Sequence, residues 1–139
     1  MLTRRRFVTT ALAAPFLARP AMADGEPIKL RTLYHRQAIS DFAKASEGER
    51  LAIEGYMAPP LKAESKFFVL TRRPMAVCPF CETEAEWPSD IVAVYTKRIV
   101  DVVPYNAKIV TSGVLELTPY KDPETGFVSL VRLMDASIA

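Results

Sequence analysis

Cys78 and Cys81 are the only cysteines in this 139-residue chain, and they frame the tetrapeptide Cys78-Pro79-Phe80-Cys81. Two sulfurs at this spacing can close a small disulfide ring or face one metal ion from a tight turn. Pro79 narrows that turn and removes a backbone donor. Four states compete. An even cysteine count in an oxidising compartment suits a structural disulfide, although so short a loop yields less entropic stabilisation than a long one. The others are metal binding through both thiolates, thiol–disulfide exchange, and thiols that do neither.

Each chemical reading makes demands on the rest of the chain. A closed zinc site takes four ligands, commonly two Cys-x2-Cys pairs. There is no second pair, and the one histidine, His35, lies far upstream at the start of a predicted helix. Met75 is the additional candidate ligand, a soft thioether suited to copper(I). Zinc and copper are therefore the metals to consider, with two thiolates from each of two molecules as one way to complete the shell. Glu82, Glu84 and Glu86 read as a solvated loop face. Exchange catalysis needs a thiol of lowered pKa, which Arg72 and Arg73 favour and those three glutamates oppose. A thioredoxin scaffold is disfavoured. Only nine residues, Glu82 to Asp90, separate Cys81 from the next predicted strand, whereas a crossover with its helix takes roughly a dozen or more. Ser65, Ser89, Ser112 and Ser129 have no histidine nearby, and no G-x-S-x-G, P-loop, H-E-x-x-H or G-x-G-x-x-G occurs. Trp87-Pro88 reads as a cap on one end of the fold.

The N-terminus gives the address. Arg4-Arg5-Arg6-Phe7-Val8 leads into an apolar stretch to Leu17, and Ala21-Met22-Ala23 supplies small residues where a signal peptidase reads. The Arg4-Arg5 pair resembles the twin-arginine (Tat) form of export signal. This predicts a signal peptide over 1–23, the Tat export machinery as a partner, cleavage after Ala23 and a soluble periplasmic product. A membrane anchor would need roughly 20 apolar residues, and Pro15 and Pro20 interrupt this stretch. The formal charge of +2 includes four arginines of the signal, Arg4, Arg5, Arg6 and Arg19, so residues 24–139 carry −2. Basicity belongs to the signal. With no cationic run beyond Arg72-Arg73 and Lys97-Arg98, nucleic-acid binding is not expected.

The remaining 116 residues, 24–139, are the size of one domain. Asp24 to Lys29 reads as a short mobile leader. Ala38, Ile39, Phe42 and Ala43 lie on one face of a helix that Gly48 would stop. Strands follow: Leu51 to Met57 by alternation, Phe67 to Thr71 and Ile91 to Thr96 as apolar runs, Lys108 to Leu117 by alternation. Gly113 marks a bulge or bend. Phe127 to Leu133 is the last strand, after a turn at Asp122-Pro123-Glu124-Thr125-Gly126 that makes a hairpin. Five strands and one N-terminal helix predict a mainly β fold, a small five-stranded OB-like barrel.

Glu54-Gly55-Tyr56-Met57-Ala58-Pro59-Pro60-Leu61, then Phe67-Phe68-Val69-Leu70, the cysteine loop, Gly113-Val114-Leu115-Glu116-Leu117 and Thr125-Gly126-Phe127 resemble a family of small exported bacterial proteins of unknown function. The resemblance covers roughly residues 48–133. It implies an OB-like fold, a periplasmic location and association with transport systems, and no established catalytic residue. The pairing of Cys81 with a second cysteine departs from many relatives. The sequence thus points to an exported, non-enzymatic binding or accessory protein with a periplasmic or transporter partner. The alternative is a thiol–disulfide oxidoreductase using Cys78 and Cys81.

Overall fold

The computed structural model describes residues 26–60, 64–76 and 90–139. In chain order it contains β1 (Ile28–Lys29), a 3-10 turn (Leu30–Leu33), β2 (Tyr34–His35), β3 (Ala38–Ile39), α1 (Asp41–Ala45), β4 (Arg50–Met57), β5 (Phe67–Thr71), β6 (Ile91–Thr96), β7 (Lys108–Glu116), β8 (Tyr120–Lys121), β9 (Val128–Ser129) and β10 (Arg132–Ile138).

Five of the strands close on themselves. β4 pairs with β5, β5 with β6, β6 with β10, β10 with β7, and β7 returns to β4. The closing seam is the longest, seven antiparallel pairs from Arg50↔Val114 to Tyr56↔Lys108. The β6–β10 contact is parallel and the other four are antiparallel. This is the Greek-key order of an OB-like barrel, as the five strand signals predict. β1 adds a short parallel pairing to the middle of β4, beside the segment of β4 that pairs β5.

Alternation sets the inside. Ile53 and Met57 of β4 and Ile109, Thr111 and Leu115 of β7 point inward, while Glu54, Tyr56, Lys108 and Val110 lie on the outer face. Phe68, Leu70, Val92, Val94, Leu133 and Ala136 complete the interior, and Leu30, Leu33 and Ala43 join the same core. β5 and the first half of β6 are buried on both faces, which is why they read as unbroken apolar runs rather than alternating ones. Their outer face meets a second cluster, in which Phe127 packs on Phe67 at 5.3 Å between ring centroids.

Phe127 belongs to the β8–β9 hairpin, whose turn forms as its residues require. The Asp122 carboxylate accepts from the backbone N–H of Glu124 (2.8 Å) and Thr125 (2.9 Å), and Gly126 takes φ +73°.

Three boundaries differ from the sequence expectation. Ala38 and Ile39 are not helical. They pair with His35 and Tyr34 across a two-residue turn in which Arg36 and Gln37 adopt φ +48° and +66°. A turn of this kind ordinarily advertises itself through Asn or Gly, and neither is present. The helix is accordingly short, Asp41–Ala45, started by the Ser40 hydroxyl, which accepts from Ala43 N–H at 3.1 Å. The expected last strand divides: Val128–Ser129 pairs with β8, and the barrel strand runs on from Arg132 to Ile138. In the expected leader, Ile28 and Lys29 are held as β1.

Gly113 sits where the chain leaves no room. β10 bulges between Met134 and Ser137, and a Cβ on Gly113 would lie 2.9 Å from Leu133 Cβ and 3.0 Å from both Ala136 Cβ and the Met134 carbonyl. Asp135, at the bulge with φ +52°, is tied to Arg50 (2.8 Å) and Lys97 (3.3 Å).

Candidate functional site

Cys78, Cys81, Arg4, Arg5 and Ala23 lie outside the described residues, as does Trp87. The root of the cysteine-bearing segment is well defined. Arg72 N–H donates to the Asp90 carbonyl at 3.0 Å, so the two ends of the 73–89 connection meet where β5 leaves the barrel and β6 enters it. The Thr71 hydroxyl donates to the Arg73 carbonyl at 2.7 Å and lies 3.2 Å from the Tyr56 carbonyl, fixing the direction in which the chain departs. Met75, just beyond, is half-buried. His35 is exposed in the β2–β3 hairpin rather than at a helix start. Among the described residues no three His, Cys, Asp or Glu side chains gather where a metal could sit.

Five cations converge beside that root. Lys29 ends β1, Arg31 follows in the 3-10 turn, Arg72 and Arg73 follow β5, and Lys108 opens β7. The strand register explains the meeting. Lys29 is opposite Glu54, and Tyr56 is opposite Lys108 on one side and Thr71 on the other. β4 is therefore the axis on which three separate stretches of chain place positive charge. Gly55 permits the crowding on this axis: a Cβ there would lie 2.8 Å from the Thr71 carbonyl and 2.9 Å from Leu70 Cγ.

The five side chains, with Glu54 and Tyr56, line a groove of about 370 Å³. Its one acid, Glu54, stands 4.0 Å from Lys108 Nζ. An exposed pair of this kind contributes only about 0–1 kcal/mol. Among the described residues, no carboxylate pairs with Lys29, Arg31, Arg72 or Arg73. All five cations are exposed, so their donors face solvent. Planar guanidinium forks and mobile ammonium groups at one concave face are suited to carboxylate or phosphate oxygens.

A second polar cluster differs in kind. The Arg132 side chain is only 2 % exposed. Its guanidinium donates to Glu116 (3.0 Å), the Thr118 hydroxyl (3.1 Å), the Thr118 carbonyl and the Ser129 carbonyl (3.2 Å), and it lies over the Tyr120 ring at 5.1 Å. These contacts bind the β8–β9 hairpin to the barrel. Tyr120 meets Tyr95 edge-on, and Tyr95 packs on Phe67. The Tyr95 hydroxyl is buried near Asp122 without a well-formed hydrogen bond. Burial, reinforced by that carboxylate, pushes its pKa well above the usual phenol range. Burial also acts to raise Asp122, but the N–H groups of Thr125 and Glu124, with the nearby Tyr95 hydroxyl, outweigh it and hold the carboxyl below its usual value.

A third feature is an apolar-lined cleft of about 520 Å³ between the β6–β7 connection and β10, with Ile99, Val100, Val103 and Ile138 in its walls. Sequence reasoning picked out Arg72 and Arg73 but not Lys29, Arg31 or Lys108. Those three are far apart along the chain, and only barrel closure makes them neighbours. The period-two spacing of Lys29 and Arg31, and the outward place of Lys108 in an alternating strand, were the available signals.

No family model matches the chain, and no curated protein matches it. The motif resemblance described above therefore rests on those residues alone. Among solved structures, a DUF3299 family protein from Pseudomonas aeruginosa is similar over 83 % of this chain and 97 % of its own, at 14 % identity and a TM-score of 0.47. At that level the architecture rests on the strand pairing, not on the neighbour.

Proposed function

We propose that this chain is an exported, non-enzymatic binding or accessory protein that uses the groove on β4 to hold an anionic group of its partner. The observation that carries the reading is the convergence of Lys29, Arg31, Arg72, Arg73 and Lys108 around a single acid, on a chain whose residues 24–139 sum to −2. Charge scattered for solubility does not collect on one concave face against the sign of the whole. The barrel supplies a rigid frame for such a site, since β4 is held along both edges.

On this reading residues 1–23 are a Tat signal, the product starts at Asp24 in the periplasm, and a transporter is one candidate partner. Among the described residues no helix is long and apolar enough to cross a membrane. Cys78 and Cys81 then serve as a disulfide clasp, or as zinc or copper ligands, in the segment that leaves the groove at Arg73. A second reading, thiol–disulfide exchange, gains from Arg72 and Arg73, which precede Cys78 in the sequence, because positive charge favours the attacking thiolate.

Two measurements on protein recovered from the periplasm separate these readings. Retention on a phosphate-bearing matrix, eluted by salt and lost in Arg72→Glu/Arg73→Glu, supports the binding protein. Flow-through of the wild type contradicts it. Reduction of a disulfide substrate at a catalyst's rate, abolished in Cys78→Ser, supports exchange instead.

A further inference from the structure

We infer that the groove is a receptor for a compact oxyanion carrying two or more negative charges, and that Glu54 is its resident counter-charge. This rests on the groove being the binding face, and it specifies the ligand. Three properties of the groove point the same way.

Size is the first. A volume of about 370 Å³ falls within the roughly 300–1,000 Å³ of small-molecule sites. The second is polarity. Apart from the Tyr56 ring and the edge of buried Leu30, the walls are charged side chains and the Gly55 backbone. A ligand with a large apolar body would find little to cover it. Oxygens that accept from several cations at once fit the walls well.

The third is the charge of everything else. The lining contributes five positive charges and one negative. With residues 24–139 at −2 overall, the residues outside the lining sum to six net negative charges, three of them net from described residues. Fields between exposed charges persist over about 8 Å at physiological salt. A long polyanion, or a flat anionic membrane, extends past the groove to described residues whose charges sum to a net negative value. A compact anion meets the cations alone. The balance therefore favours the small ligand over the polymer.

Glu54 sets the threshold for occupancy. Its side chain is 27 % exposed, it is opposite Lys29 in the strand register, and it lies 4.0 Å from Lys108. A singly charged ligand would compete with Glu54 for Lys108 at no advantage. A multiply charged one can engage Arg31, Arg72 and Arg73 as well, which among the described residues have no acid of their own. Glu54 thus selects against abundant monovalent anions.

The test is calorimetric titration of the full exported protein, at fixed ionic strength, with pyrophosphate, citrate, acetate and heparin in turn. Pyrophosphate or citrate should bind with one-to-one stoichiometry, and whichever is tighter identifies phosphate or carboxylate as the preferred oxyanion. Acetate should be weaker by about tenfold or more, and heparin weaker and steeply salt-dependent. Glu54→Gln should tighten pyrophosphate and narrow its advantage over acetate, while Arg72→Ala and Arg73→Ala should each weaken it by about tenfold, the effect of roughly one good charge-assisted bond. Heparin or anionic vesicles binding more tightly than both small anions, with loss on Arg72→Glu/Arg73→Glu, would overturn the compact-ligand inference and leave the binding reading intact. Binding of none of the probes would remove both. Binding seen only after Glu82→Gln/Glu84→Gln/Glu86→Gln would also overturn the inference, because the chain's own acids would then satisfy the groove. An unchanged affinity in Glu54→Gln would contradict the role given to Glu54.

Discussion

The molecule holds arginine in two opposite ways. Arg132 is sealed between the barrel and the β8–β9 hairpin, its terminal nitrogens committed to Glu116, Thr118 and Ser129 and its plane set over Tyr120. Arg31, Arg72 and Arg73 stand in solvent around the groove, and among the described residues none has an acid partner. A buried cation is tolerated when its charge is paired, and with both terminal nitrogens of Arg132 engaged only its Nε lacks a partner among the described residues, sealed from solvent and from any ligand. An exposed cluster of like charges costs some self-repulsion and contributes nothing to packing, and its donors remain available. Burial, not residue type, separates the cation that holds the fold from the cations that can hold something else.

The largest expected effect follows from emptying the buried side. Arg132→Ala leaves the Thr118 and Ser129 acceptors without their donor and opens a space beneath the hairpin. It should cost about 3 kcal/mol or more in urea unfolding, whereas Arg72→Ala should stay within about 0.5 kcal/mol. Equal costs would break the comparison.

Next in size is the close approach at Gly113. Gly113→Val forces methyl groups into Leu133 and Ala136 and should destabilise by about 1–3 kcal/mol. Gly25→Val, in the leader that the sequence predicts, should be nearly silent by the same assay. Matching thermal midpoints would mean that β10 can move away from β7, and that the bulge at Asp135 is soft.

A smaller effect appears as pH dependence. Tyr95 has a folded pKa raised above the unfolded phenol value of about 10. The folded state then keeps a proton that the unfolded state has released, so stability is intact below about pH 10 and declines as pH rises above it. Asp122 is lowered, so its contribution is present above about pH 4 and declines below. Tyr95→Phe should lessen the alkaline decline and, by removing the hydroxyl beside Asp122, also lessen the acid limb slightly, and it should not alter anion binding. A change in groove affinity would show that the two regions are coupled.

Much of the barrel was legible from the sequence, for reasons visible in particular residues. Leu51 to Met57 and Lys108 to Glu116 alternate because one face is core and the other solvent. Phe67 to Thr71 and Ile91 to Val94 run apolar because the hairpin covers their second face. Asp122 to Gly126 carried its own turn chemistry. The failures are equally specific. Arg36 and Gln37 take positive φ without Gly or Asn, so Ala38 and Ile39 were assigned to the helix that starts only after Ser40. The end of β9 at Ser129 is imposed by the hairpin rather than by any breaker in the sequence. For the site, the cysteine spacing was conspicuous. The groove was not, because its cations are separated by dozens of residues and are assembled by the register of β1, β5 and β7 on β4.

The most direct measurement is the pyrophosphate affinity of Arg72→Glu/Arg73→Glu, taken together with its thermal midpoint. The groove reading predicts that binding falls by well over tenfold, since two attractive charges become repulsive, while the midpoint stays at that of the wild type. Unchanged affinity, or loss of affinity only alongside loss of the fold, would contradict the claim that the exposed cations bind and the buried one folds.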